Sequence, residues 1–335
     1  MSEKIIITGG LGYIGSHTII ELMDVVDEFI IIDNLCNSDI TVLEKLKKIT
    51  NKEIIHYNDS VNNEPRLKEI FEKHSPDNVI HFAGLKSVQE GEIHPEKYFY
   101  CNVAGTVSLL NALKNFYCKS LIFSSSATVY GNPQYLPYDE KHPTVPINNY
   151  GRSKLIAEQL INDWSKINKV SSVILRYFNP VGAHPSGIIG ERPVGVPNNL
   201  MPYILEVIAG KLDALKIFGN DYNTKDGTGE RDYIHVTDLA KAHVSAFHYA
   251  RDKYVNDIFN IGTGEAISVM EIINTFNELL EKNIKFSFSN RRIGDLPKYF
   301  SETNKANKYL KWKAEKSLLD MCKDSLRWQK YYSNK

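Results

Sequence analysis

Tyr150 and Lys154 stand four residues apart in Asn149-Tyr150-Gly151-Arg152-Ser153-Lys154, so on a helix they share one face, one turn from each other. An ammonium held beside a phenol favours the phenolate. A tyrosine with its ordinary pKa of about 10 is only about 0.1% ionised at pH 7, and bringing it near neutrality takes about three units, or roughly 4 kcal/mol. One cation about 4 Å away at an effective dielectric of about 20 supplies that much. The pair can therefore act as a general base towards a hydroxyl. Tyrosine and lysine are common in this chain, however, and the same spacing describes a helix-start tyrosine beside a solvated lysine.

Support for the chemical reading lies at the N-terminus. Lys4-Ile5-Ile6-Ile7-Thr8 is a short apolar, β-branched run of the kind that forms a buried strand. Gly9-Gly10-Leu11-Gly12-Tyr13-Ile14-Gly15 follows at once, and Ser16 to Met23 reads as a helix. Glycines in a strand-to-helix turn let the backbone approach a pyrophosphate, and the helix start offers free N–H groups and the positive end of its dipole. The spacing Gly9, Gly12, Gly15 is not the G-x-G-x-x-G of ordinary dehydrogenases, and a bare glycine turn can also be a tight βα connection. The next strand, Phe29-Ile30-Ile31-Ile32, ends in Asp33. An acid there accepts hydrogen bonds from the adenosine ribose and repels a 2′-phosphate. No arginine follows in Asn34-Leu35-Cys36-Asn37, which favours NAD over NADP.

Bulk properties narrow the class. With 335 residues, 42% of them hydrophobic, the chain can hold a large core or two domains. Forty basic side chains balance forty acidic ones, so no basic face points to nucleic acid. No apolar run is long enough to cross a membrane, and Met1-Ser2-Glu3-Lys4 leads straight into the first strand without room for a signal peptide. Cys36, Cys101, Cys118 and Cys322 are scattered, with neither zinc spacing nor a disulfide framework. A reducing, cytoplasmic setting and no metal are expected. His81, at a strand end, and His235, in an apolar stretch, read as structural imidazoles.

The first half alternates strands and helices. Helices are predicted near Ile40 to Lys48, Pro65 to His74, Pro95 to Phe116 and from Tyr150 onward; strands near Glu53 to Tyr57, Asn78 to Phe82, Lys119 to Phe123 and Ser171 to Tyr177. This rhythm predicts an α/β fold: a Rossmann-type, doubly wound parallel sheet whose ligands bind at the carboxyl ends of the strands. Asp59, Phe82-Ala83-Gly84 and Ser124-Ser125-Ser126 fall just past strand ends and would line one cleft with the glycine turn. From Pro180 to Gly229 the sequence is rich in Pro, Gly and Asn, with one clear helix at Leu200 to Gly210, as suits a substrate-binding lobe. Asp232 to Ala250 and Phe259-Asn260-Ile261-Gly262 return to the first lobe, and Val269 to Glu281 and Leu318 to Trp328 read as helices of the second. The expected division is 1–178 plus about 232–262 for the dinucleotide, and 179–231 plus about 263–335, a smaller loop-rich α/β domain, for the substrate.

With Gly-x-x-Gly-x-x-Gly and Tyr-x-x-x-Lys both present, the chain resembles the extended short-chain dehydrogenase/reductase family. Longer strings narrow this to the UDP-glucose 4-epimerases. They are Asp33-Asn34-Leu35-Cys36-Asn37-Ser38, His81-Phe82-Ala83-Gly84-Leu85-Lys86, Ser124-Ser125-Ser126-Ala127-Thr128-Val129-Tyr130-Gly131 and Leu175-Arg176-Tyr177-Phe178-Asn179-Pro180-Val181-Gly182. Pro197-Asn198-Asn199-Leu200-Met201-Pro202, Arg231-Asp232-Tyr233-Ile234-His235-Val236 and Arg291-Arg292-Ile293-Gly294-Asp295-Leu296-Pro297 continue the match, which runs from residue 4 to about 328.

The resemblance implies an isomerase with NAD as cofactor, which oxidises C4 of a UDP-hexose transiently, lets the 4-keto sugar turn over and reduces it on the other face. It implies Tyr150 as base, Lys154 as its partner and a holder of the nicotinamide ribose, and Ser126 as a hydrogen-bond partner of the 4-oxygen. Cofactor contacts carry over to Gly9, Gly12, Tyr13, Ile14, Gly15, Asp33, Asn34, Asp59, Phe82, Ala83, Gly84, Lys86, Asn102, Ser124 and Tyr177, besides Tyr150 and Lys154. Substrate contacts carry over to Lys86, Ser126, Tyr150, Phe178, Asn179, Asn199, Leu200, Phe218, Arg231, Arg292, Asp295 and Tyr299. Two guanidiniums suit a pyrophosphate, since arginine grips phosphate oxygens with paired, charge-assisted donors. Cys101 and Ala104 stand where asparagines are usual, and the stretch from Gln89 to His94 diverges. Tyr299 occupies a position where relatives that accept N-acetylated sugars carry a small residue, so preference for UDP-glucose and UDP-galactose is expected. A homodimer, through the helices near Pro95 to Phe116 and Ile147 to Ile167, is likewise implied.

Rival readings stay open at this point. A nucleotide-sugar 4,6-dehydratase shares the first oxidation but places an Asp-Glu pair beside the threonine, where this chain has Ser126-Ala127-Thr128. A decarboxylase of UDP-sugar acids would want a different substrate lobe. A non-catalytic NAD-binding relative would be expected to have lost Tyr150 or Lys154, and both are present.

Overall fold

The structure, a computed structural model, describes residues 3–192, 195, 197, 199–292 and 294–333. Asn198 and Ile293, members of two of the matching strings, lie outside the described residues. The fold is a seven-stranded parallel sheet flanked by helices. Its strands are β1 (Lys4–Thr8), β2 (Glu28–Ile32), β3 (Ile54–Tyr57), β4 (Asn78–His81), β5 (Ser120–Ser126) and β6 (Ser171–Tyr177), with a last strand contributed by Asn256–Ile261. The order across the sheet is Asn256–Ile261, then β6, β5, β4, β1, β2, β3.

Near-continuous apolar runs such as Ile5-Ile6-Ile7 and Phe29-Ile30-Ile31-Ile32 form these strands because both faces of a parallel sheet are covered. Side chains alternate between faces with the two-residue period of a strand. Ile5, Ile7, Phe29 and Ile31 join one buried cluster, while Ile6, Ile30 and Ile32 join another with Leu67, Leu109 and Ala157. The helices over this span are α1 (Tyr13–Glu21), α2 (Thr41–Thr50), α3 (Glu64–His74), α4 (Val88–Ile93), α5 (Pro95–Tyr98), α6 (Gly105–Leu113), α7 (Asn149–Asn168), α8 (Leu200–Ile208) and α9 (Val236–Arg251). Of these, α1, α2, α3, α6, α7 and α9 supply the cover, α4 and α5 pack against α7, and α8 lies apart from the sheet against β8 (Leu215–Phe218). Helix α9 packs against α1 and leads back into the sheet.

Short strands build the remainder: β7 (Asn179–Val181) pairs with β10 (Tyr233–His235), and β9 (Glu230–Arg231) lies between β12 (Ile267–Ser268) and β14 (Lys298–Tyr299). β8 (Leu215–Phe218) pairs with β13 (Phe286–Ser289), and the strand Asn256–Ile261 is β11. A third buried cluster joins Met201, Ile204, Ile217, Ile273, Phe276 and Met321, drawn from α8, β8, α10 (Val269–Leu280) and α11 (Leu318–Ser333).

Boundaries differ from expectation in ways that bear on the site. The first helix starts at Tyr13 and not at Ser16, because Gly12 takes the extended cap conformation (φ −70°, ψ 174°). The helix expected over Pro95 to Phe116 ends at Leu113 and is broken by a π-helical segment at Phe99–Ala104. Strand β5 runs three residues past Phe123 to Ser126, which carries the serine run to the sheet's carboxyl edge. The stretch near Gln89, read as merely divergent, forms α4, capped by Ser87. Among the described residues no helix is long and apolar enough to cross a membrane, and no group of three or more His, Cys, Asp or Glu could hold a metal.

Candidate active site

The glycine turn follows β1 and opens α1. Gly9 has φ +69°, and a Cβ there would lie 2.7 Å from the Ala83 nitrogen. At Gly15 a Cβ would lie 2.6 Å from the Gly9 carbonyl oxygen. Side chains are thus excluded where the turn presses on the loop after β4 and on itself. Gly12 caps α1 with no side-chain hydrogen bond, which leaves the first-turn amides of Tyr13, Ile14 and Gly15 to an outside acceptor.

Asp33, buried at the end of β2, is aimed at the same turn. Its carboxylate accepts from the Leu11 amide (3.0 Å), the Leu35 amide (3.0 Å) and the Ser38 hydroxyl (2.8 Å). Exposed Asn34 follows, accepting from the Cys36 amide. Past β3, Asp59 is held by the Ser60 amide (2.8 Å) and Asn63 Nδ2 (3.0 Å). After β4, the Phe82 ring rests 4.8 Å from His243, and Ala83 donates to the Thr8 carbonyl. A Cβ at Gly84 would lie 3.0 Å from Asn102 Oδ1 and 3.4 Å from Lys154 Nζ, so the dinucleotide cradle runs directly into the lysine.

Asn102 is buried beside the cradle. Its amide accepts from the Leu85 nitrogen (2.8 Å) and donates to the Leu85 carbonyl (3.0 Å) and to Ser153 Oγ (2.9 Å). Those bonds clamp the loop after β4 onto α7, so Asn102 positions the cradle through protein contacts.

Helix α7 begins with Asn148 accepting from the Gly151 amide at 2.7 Å, which places Tyr150 in its first turn. Helix α4 braces that turn: Glu92 accepts from the Asn149 amide at 2.7 Å. The Tyr150 phenol meets the Ser126 hydroxyl, which in turn accepts from the Thr128 amide (3.2 Å) and hydroxyl (3.0 Å). Lys154 is buried, donates to the Ser124 carbonyl (2.8 Å) and lies 4.9 Å from the centre of the Phe123 ring.

The protonation states run opposite to the expectation that the lysine lowers the tyrosine. Burial pushes the Tyr150 phenol up to about 12, against the pull of the Ser126 hydrogen bond. Burial likewise brings Lys154 down to about 8. The ammonium faces a carbonyl and an aromatic ring, and in both groups loss of water disfavours the charged form. Tyr177 is adjacent, its phenol raised well above the ordinary range by burial and bonded to His243.

Past the end of β6, Asn179 Oδ1 accepts from the Tyr299 hydroxyl at 3.0 Å. The Phe178 ring lies 6.1 Å from Tyr299, and the Arg231 guanidinium sits 4.7 Å above Tyr299. Arg231 also pairs with Asp295 at 3.8 Å, so these five residues form one contiguous wall. Arg292, exposed, stacks 3.8 Å over Phe218 as a second pair. Asn199 caps α8 and Leu200 opens it. Lys86 reaches Glu191 at 2.7 Å.

Two charged centres behind this wall were not foreseen. Asp232, inside the matching string at Arg231, is fully buried and accepts five hydrogen bonds: from the Thr263 amide (2.8 Å) and hydroxyl (2.7 Å), the Gly264 amide (3.0 Å), and the Ser301 amide (3.1 Å) and hydroxyl (2.5 Å). Arg176 in β6 makes a two-point contact with Glu158 of α7 at 3.0 and 2.6 Å. The available signal was an arginine directly after the apolar run Val173-Ile174-Leu175 of a buried strand, since a buried charge requires a partner.

A family model described as GDP-mannose 4,6 dehydratase matches residues 6–325. The UDP-glucose 4-epimerase of Dictyostelium discoideum is 46% identical over 336 residues, spanning 100% of this chain and 98% of that relative. The solved UDP-glucose 4-epimerase of Stenotrophomonas maltophila, with bound NAD and formylated UDP-arabinopyranose, has a TM-score of 0.96 at 43% identity and covers 99% of both chains. That of Bifidobacterium longum, in complex with NAD+ and UDP, has a TM-score of 0.94 at 43% identity, with 98% of this chain and 99% of its own covered. Glycine turn, serine run, Tyr150, Lys154 and the Arg231–Tyr299 wall thus occur on a backbone shared end to end with these enzymes, and the chain belongs to the UDP-glucose 4-epimerase family of extended short-chain dehydrogenase/reductases.

Proposed function

We propose that the protein interconverts UDP-galactose and UDP-glucose reversibly with NAD as its cofactor. The observation that carries this is the convergence of Gly84, Lys154, Ser126 and Tyr150 where the glycine cradle ends. The bare glycines and uncapped first turn of α1 fit a dinucleotide pyrophosphate, and Asp33 fits the adenosine ribose. Bound NAD⁺ supplies the transient oxidation at C4 of the hexose.

The remaining work belongs to the chain. Tyr150 takes the proton of the 4-hydroxyl and returns it, while Ser126 orients that oxygen. Lys154, held by Ser124, holds the nicotinamide ribose and supports the phenolate. Arg231 and Arg292 grip the diphosphate, with Phe218 stacked under Arg292. Residues 1–178 with about 232–262 serve the cofactor, and 179–231 with about 263–335 serve the UDP-sugar. Galactose metabolism in the cytoplasm is the corresponding setting. A homodimer would cover Tyr100 and Val107, exposed on the Phe99–Ala104 segment and α6, and Ile156 on α7.

The dehydratase reading lacks its acid. Ser126 leads into the short turn Ala127–Val129, and the Glu158 carboxylate beneath it is committed to Arg176 and Ser125. The test is to incubate purified protein with UDP-galactose, without added NAD, and assay for UDP-glucose. Conversion is expected; silence even after NAD⁺ is supplied would overturn the reading. In the same assay UDP-N-acetylglucosamine should turn over poorly and Tyr299→Cys should improve it, because the ring between Phe178 and Arg231 fills the volume a 2-acetamido group needs. Fast wild-type turnover of the N-acetylated sugar would refute the role given to Tyr299.

A further inference from the structure

Two consecutive residues, Glu191 and Arg192, reach to opposite sides of the dinucleotide cradle. Glu191 pairs with Lys86 at 2.7 Å, and Arg192 pairs with Asp39 at 2.5 Å. Lys86 lies in the loop after β4 and Asp39 in the loop after β2, the two strands that flank β1. The glycine turn follows β1 and so lies between the two anchor points. The segment therefore crosses the mouth of the cradle and is tied down on both banks.

The chain leading into it is tied down. Residues 183–190 form a closed loop, with Ala183 bridged to Gly190 and the His184 amide donating to the Ile189 carbonyl at 3.0 Å. Helix α11 holds that loop: Trp328 Nε1 donates to the Glu191 carbonyl at 3.0 Å and Arg327 to the Pro185 carbonyl at 2.7 Å. Gly190 lies so flat on Trp328 that a Cβ would come within 2.5 Å of the indole. The Arg192 guanidinium stacks 4.8 Å over Tyr332 of the same helix. A strap fixed to α11 thus ends in two ion pairs that can open without disturbing the sheet.

We propose that Glu191 and Arg192 form a retaining strap over the bound NAD, and that opening of the Lys86–Glu191 and Asp39–Arg192 pairs gates cofactor exchange. The inference rests on the reading of the cradle as an NAD site. It gives the redox-neutral reaction what it needs, since a cofactor regenerated in every cycle has no reason to leave. The pairs are part-exposed, with side-chain exposures of 48% and 12% for Lys86 and Glu191 and 50% and 33% for Arg192 and Asp39. Such pairs are individually weak, so the strap slows release and does not abolish it.

The test follows dissociation of radiolabelled NAD⁺ from the loaded protein during a chase with unlabelled NAD⁺. Arg192→Ala and Asp39→Ala should each release it about threefold faster, and Glu191→Gln combined with Arg192→Ala about tenfold faster. The charge swap Arg192→Asp with Asp39→Arg should restore most of the retention. Turnover at saturating NAD⁺ should stay within about twofold for Arg192→Ala, which separates gating from damage to the site. Wild-type release rates in the double variant would overturn the strap alone. A wild-type protein that binds no NAD would overturn the cofactor reading and the strap with it.

Discussion

Tyr150→Phe should lower kcat for UDP-galactose about a thousandfold while leaving NAD binding and folding intact. The change removes one hydroxyl and keeps the ring that packs at the start of α7. Loss of a positioned general base typically costs about a hundredfold to ten-thousandfold. Retained activity within tenfold would remove Tyr150 from the chemistry, and a wild type without turnover would leave a protein that only binds.

The protonation states make the same residue informative by titration. With the phenol pushed up to about 12, making half of it phenolate at pH 7 takes about five units, or roughly 7 kcal/mol. One cation about 4 Å away at an effective dielectric of about 20 contributes about 4 kcal/mol. Lys154 alone is therefore insufficient, the more so because burial brings its own pKa down to about 8. The value of about 12 already holds with Lys154 in place, so the positive nicotinamide ring is the added charge, worth about 4 kcal/mol or about three units downward. A tyrosinate difference titration, wild type minus Tyr150→Phe, should accordingly place the group near 12 in NAD-free protein and several units lower once NAD⁺ is bound. An unchanged midpoint on adding NAD⁺ would show that the base is activated in another way.

The parts of the site legible from the sequence are those with local signatures. A glycine turn after a β-branched run needs only neighbouring residues to specify it, and Gly9, Gly12 and Gly15 stand where the motif requires. Asp33 follows from strand length, and the Tyr150–Lys154 spacing from helical geometry. What escaped depends on distant pairing. The upward shift of Tyr150 and the downward shift of Lys154 come from burial, which spacing does not report. The role of Asn102 turned on Leu85 and Ser153, 17 and 51 residues away along the chain. Strand β13, Phe286-Ser287-Phe288-Ser289, does alternate apolar and polar residues, but all four are exposed and the strand is defined by its pairing with the distant β8, so the alternation marks no buried face. Helix α4 is only six residues long and lacks a periodic apolar face, yet it braces the catalytic helix.

The second large effect concerns that bracing from the other side. Glu158→Gln should destabilise the fold by about 3–5 kcal/mol, because it leaves the Arg176 guanidinium buried without its counter-charge. For a chain of this length that corresponds to a fall in Tm of about 5 °C. The pair ties α7, which carries Tyr150 and Lys154, to β6, and the Ser125 hydroxyl of β5 donates to the same carboxylate. Its consequences reach further. Arg176 lies 4.8 Å over the Tyr130 ring, Tyr130 stacks on Tyr138 at 4.8 Å, and Tyr138 meets Phe178 at 6.4 Å on the way to Tyr299. Base and sugar wall are thus joined through a chain of packed side chains that starts at this ion pair. Replacing both partners by apolar groups of similar size, Glu158→Leu with Arg176→Met, should be less destabilising than Glu158→Gln, since neither charge is then left stranded. Thermal unfolding of the wild type and the two variants checks this. If Glu158→Gln melts with the wild type, the pair is not what holds α7 to the sheet, and Tyr150 must be positioned by Asn148, Asn102 and α4 alone.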